Sequence, residues 1–204
     1  MLLALGWKAW TRNDFVYGIL LPLIVVLIIV GLSQLRQIFG FGSLGIVTGI
    51  VMEIEEIVVV GGIPLLFGLI WNRWAGGVSG FLLGSLYALS VADKFGRLPT
   101  THFTGTGTLL LGYVVSAMLI GYMAGVLNKR SDNFSRMLIV GVLSTTIGGV
   151  LLFGVLQLSP VNVVTGLDGF LLTVLSRTAC GAIVPVIAKV FTLYGVTMGQ
   201  KNQQ

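Results

Sequence analysis

The sequence predicts an all-α integral membrane protein, a six-transmembrane-helix bundle with a partly irregular outer segment after the first helix. Three observations predict it. Apolar residues make up 55% of the 204 positions and charged residues only 9%, against about a quarter in soluble domains. Glycine fills 29 positions, about twice its ordinary usage, as expected where helices approach closely in lipid. The apolar residues also gather into stretches near the roughly 20 residues that cross about 30 Å of hydrocarbon.

Composition excludes several function classes. Cys180 and His102 are the only residues of their types, so neither an internal disulfide scaffold nor a Cys/His zinc module is available, and no metal site is expected. The 12 basic residues outnumber the 7 acidic ones but lie scattered between apolar runs, which gives nucleic acid no continuous patch. No Gly-rich loop ending in Gly-Lys-Ser/Thr occurs, so the chain hydrolyses no nucleotide itself. No acid, base and nucleophile set can be assembled around His102, and no enzyme activity or cofactor is expected.

The chain reads as one membrane domain, 1–204. Residues 1–14 form an interfacial segment, with Trp7 and Trp10 at headgroup level and Lys8 and Arg12 facing lipid phosphates. Spans follow at about 15–35, 57–72, 74–92, 106–128, 137–158 and 169–192. The second stretch is unusual. Residues 44–71 would be roughly 42 Å long as one helix, and the stretch holds Glu53, Glu55 and Glu56 before Gly61-Gly62-Ile63-Pro64. Pro64 lacks a donor and disfavours helical backbone before it, and β-branched Ile57–Val60 favours extended chain. Residues 39–60 therefore read as an outer, partly irregular segment folded back over the bundle.

Basic residues set the orientation. With the N-terminus in the cytoplasm, Lys8, Arg12, Arg73, Lys129, Arg130, Arg136, Lys189 and Lys201 lie inside, and Arg36, Lys94, Arg97 and Arg177 outside. Eight against four favours a multi-pass plasma-membrane protein with both termini cytoplasmic. Glu53, Glu55, Glu56, Asp93 and Asp168 then fall on or near the outer face. Carboxylates beside lipid are costly, so the glutamates either border water as a loop edge or hold a solute or cation, with Glu53 deepest in the apolar run. Arg177, one to two turns into the last span, either snorkels outward or faces an interior cavity and holds a ligand anion.

Small residues recur at four-residue spacing: Gly76, Gly80, Gly84 and Ala88; Ala117, Gly121 and Gly125; Gly141, Thr145 and Gly149. Such rows let helix backbones touch and read as internal packing.

The run GGIPLLFGLIWNRWAGGVSGFLLGSLYAL, followed after a longer loop by LLLGYVVSAMLIGYMAGVLNKR, resembles the substrate-binding (S) components of energy-coupling factor transporters. The similarity covers residues 61–158, and the rest matches by topology. One departure is visible: the first span, GILLPLIVVLIIVG, lacks the alanine pair with which many S components dock. The resemblance implies a subunit that binds a vitamin-like micronutrient from outside and works with a transmembrane coupling subunit and ATPases. It further implies a pocket capped by residues 39–60 and completed by loops 93–105 and 159–168. The expected site residues are Glu53, Glu55, Glu56, Phe41, His102, Phe103, Asp168 and Arg177. Such a pocket would be mildly acidic with aromatic walls and would favour a cationic or hydrogen-bond-donating ring compound. Two other classes fit the composition, an accessory subunit of a larger membrane complex and a homo-oligomeric cation channel with an acidic ring.

Overall fold

The computed structural model describes residues 20, 24, 54–96, 106–158 and 166–193, and the described residues are all helical or in short turns. Among the described residues a helical run passes from Ile54 through a π-helical stretch, Ile57–Gly62, into α1 (Ile63–Ile70). Four long helices follow: α2 (Arg73–Gly96), α3 (Thr106–Asn128), α4 (Phe134–Gln157) and α5 (Gly166–Leu193). These four are long and apolar enough to cross a membrane. They point to a membrane-embedded protein. The expected interfacial segment, 1–14, and the expected first crossing, 15–35, apart from residues 20 and 24, lie outside the described residues.

The stretch 57–60 corrects the expectation of extended backbone lying over the bundle. It is helical, and Val59 and Val60 are buried in the core. Pro64 accounts for its wide turns: a proline ring in a regular α-helix clashes with the carbonyl four residues back and leaves it without a donor. Widening the preceding turns relieves that clash, and Ile63 donates its N–H five residues back to Val58. Gly61-Gly62 tolerate the change. Pro64 then sits in the first turn of α1, where no donor is missed.

α1 is the central helix and packs against α2, α3 and α5. It ends at Trp71, and Asn72 starts the next helix by accepting the Ala75 N–H on its side-chain oxygen at 2.8 Å. α2 and α3 then run antiparallel with their small rows face to face. A Cβ on Gly76 would overlap the Gly121 carbonyl, and one on Gly80 the Ala117 carbonyl. The third row does the same work elsewhere: Gly141 of α4 lies against the Gly181 carbonyl and Pro185 of α5. All three rows are internal packing.

Lys129 and Arg130 turn the chain out of α3 with positive φ of 50° and 57°, an uncommon backbone for side-chain-bearing residues. Buried Asn128 anchors that turn by donating to the Leu69 carbonyl at 2.9 Å and the Ser131 carbonyl at 3.2 Å. Asn133 caps α4 by accepting the Ser135 N–H at 3.0 Å. Arg130 donates to the Trp71 carbonyl and Lys189 to the Asp132 carbonyl. Arg73, Lys129, Arg130, Arg136 and Lys189 thus gather at one end of the bundle.

Outward faces remain apolar. Ile139, Leu143, Ile147 and Val150 form an exposed stripe down α4, which water would penalise and lipid does not.

Candidate functional site

Toward the end of the bundle opposite the basic residues lies its buried arginine. Arg177 lies on α5, a little over three turns from the helix start, and its side chain is only 3% exposed. It faces inward and forms an ion pair and hydrogen bond with Glu56, through Nη2 and Oε1. Its Nη1 donates to the Thr173 carbonyl at 3.1 Å, one turn back on its own helix. Tyr87 of α2 and Tyr113 of α3 donate their hydroxyls to the other carboxylate oxygen of Glu56, at 3.4 and 3.2 Å. The tyrosine rings meet edge to face with centroids 5.0 Å apart, which holds both hydroxyls on one target.

Local sequence explains this convergence. Tyr113 continues the row Ala117, Gly121, Gly125 by one more four-residue step, so it faces α2 as they do. Tyr87 lies about one turn past Gly84, next to Ala88 of the α2 row. The π-helical stretch sets Glu56: wide turns rotate the residues before them about the helix axis relative to a regular helix. Glu56 is 21% exposed, screened from lipid by the pair and the two rings. An unpaired charge at such a site costs several kcal/mol, so the four side chains act as a unit.

A cavity of about 130 Å³ opens beside the pair. Its lining mixes polar side chains, Tyr113, Ser176 and Arg177, with Leu152, Leu156 and Leu172. Its size is close to the cavity of about 150 Å³ that admits a benzene ring. Arg177 Nε is buried and has no hydrogen-bond partner among the described residues.

The expected site residues divide three ways. Glu56 and Arg177 come together at the cavity, Arg177 facing inward rather than snorkelling. Glu55 is half-buried and engaged in an interaction of its own, and Asp168 lies exposed in the first turn of α5, more than two turns before Arg177. Glu53, Phe41, His102 and Phe103 lie outside the described residues, as do most of the expected cap and the loops expected to complete the pocket. Tyr113, Thr173 and Ser176 were not expected at the site. The tyrosine was readable from its row. Among the described residues no group of three or more His, Cys, Asp or Glu could hold a metal ion.

Comparison with known protein families, curated proteins and solved structures gives no match.

Proposed function

We propose that the chain is a membrane solute-binding subunit for uptake of a vitamin-like micronutrient, working with a separate transmembrane coupling subunit and ATPases. The observation that carries this reading is the cavity between α3, α4, α5 and the start of the first helical run, fronted by the buried Glu56–Arg177 pair. Ionisable residues inside a membrane bundle are costly and mark sites of function. The pair is a poor stabilising device as such, since apolar residues of similar volume often do as well. Its value lies in presenting polar groups to a solute.

Orientation supports uptake. The five basic residues at one end face the cytoplasm under the positive-inside rule, and the cavity then lies toward the outer face. Both termini are cytoplasmic in this reading, and the chain carries out no chemistry of its own. Glu56 is engaged within a single chain by Arg177, which counts against an acidic-ring channel built from that residue.

The test is native mass spectrometry of the gently purified full chain. A non-lipid small molecule bound one per chain is the expected result. Protein that carries no such molecule, but co-purifies with a partner that is not an ATPase module, would instead make it an accessory subunit.

A further inference from the structure

The balance of donors and acceptors around Arg177 bears on the class of solute. Glu56 is an acceptor already served: Arg177 reaches Oε1, and Tyr87 and Tyr113 both reach Oε2. A carboxylate offers about four lone-pair sites, so three donors leave it little to give. Arg177 stands the other way. A guanidinium has five N–H groups, and two are used among the described residues. Its Nε is buried without a partner there, and the residue lines the cavity. The buried polar atom left without a partner at the site is therefore a donor, and it calls for an acceptor.

Charge narrows the class further. Glu56 and Arg177 neutralise each other, so a third charge in this poorly solvated space would be uncompensated. A cation would lie close to Arg177, beside a carboxylate that already accepts three donors, and an anion would lie close to Glu56. The leucines that line the cavity suit an apolar body of ring size.

We infer that the cavity takes an uncharged, ring-sized solute that presents a carbonyl-type hydrogen-bond acceptor to Arg177. This rests on the solute-binding reading above and reverses the cationic or donor ligand expected from the acidic residues in the sequence.

Thermal unfolding of the full chain in detergent tests it with three probes of similar size: δ-valerolactam, piperidinium and cyclopentanecarboxylate. The lactam raises the unfolding midpoint in a dose-dependent way and the two ions do not. Arg177→Lys keeps the charge facing Glu56 but removes the fork, and lactam affinity falls about 10- to 150-fold. Glu56→Gln leaves a net positive site, and preference passes to cyclopentanecarboxylate. Ser176→Leu leaves the pair alone, intrudes on the cavity and abolishes the lactam response. Should the two charge variants fail to fold, the parent and Ser176→Leu still decide the matter. The inference is overturned if an ion stabilises the parent and the lactam does not, if no probe acts, or if Ser176→Leu responds like the parent. Where that happens and mass spectrometry still finds a retained solute, only the solute class falls. Where no solute is retained either, the solute-binding reading falls with it.

Discussion

α2 and α3 meet in two ways along one interface. From Gly76–Gly121 to Gly80–Ala117 the backbones touch, with no room for a Cβ. Past Gly84 the same interface carries Tyr87 and Tyr113, whose rings meet edge to face and whose hydroxyls turn to Glu56. The first region is dry and made of the smallest residues, and the second is polar and made of large ones. Close backbone approach supplies rigidity in lipid, where no hydrophobic drive holds helices together. A few residues further on, that rigidity is what lets four side chains from three helices and the first helical run converge on one buried ion pair.

Breaking the seam should have the largest effect. Gly80→Leu forces a side chain into the Ala117 backbone, which cannot move aside without separating the helices. Overpacking typically costs about 1–3 kcal/mol where side chains can shift, occasionally more. Here the obstacle is the Ala117 backbone, so the cost should exceed that of breaking the ion pair. The expected outcome is loss of monodisperse protein in detergent. Unchanged yield and midpoint would mean that the seam is not closed.

Breaking the pair comes next. Arg177→Met leaves Glu56 without its cation and should cost about 3–5 kcal/mol in denaturant unfolding. Glu56→Gln added to Arg177→Met should recover much of that loss, because no charge is then left unpaired. Additive losses would deny the contact. Tyr113→Phe removes one of three donors on Glu56 and is expected to cost about 1 kcal/mol. Asn133→Ala sits outside both regions, removes the α4 cap and should cost about 1 kcal/mol without altering solute retention. That contrast separates a loss of stability from a loss of function.

Much of the seam was legible in the sequence, because four-residue spacing of small residues has one geometric meaning on a helix. The helix over Thr106–Asn128 was equally visible as an unbroken apolar run ending in basic residues. The pair was not. Glu56 and Arg177 stand 121 residues apart in sequence, and nothing in either stretch names the other. The inward turn of Glu56 depends on the wide turns around Ile57–Gly62. The sequence showed Gly61-Gly62-Ile63-Pro64 as an interruption without showing that the helix continues through it. Arg177 was visible as a lone charge in an apolar span, but its direction is fixed by the partner it finds.

The proposed function places the solute in the space beside Glu56 and Arg177. Leu156→Phe tests this most directly, since Leu156 is a half-buried wall of the cavity with no part in the ion pair. Native mass spectrometry of parent and variant, with unfolding midpoints measured alongside, should show solute on the parent and none on the variant, with stability changed by less than about 1.5 kcal/mol. Equal solute retention by a folded Leu156→Phe protein would contradict the claim and place the binding site elsewhere in the chain.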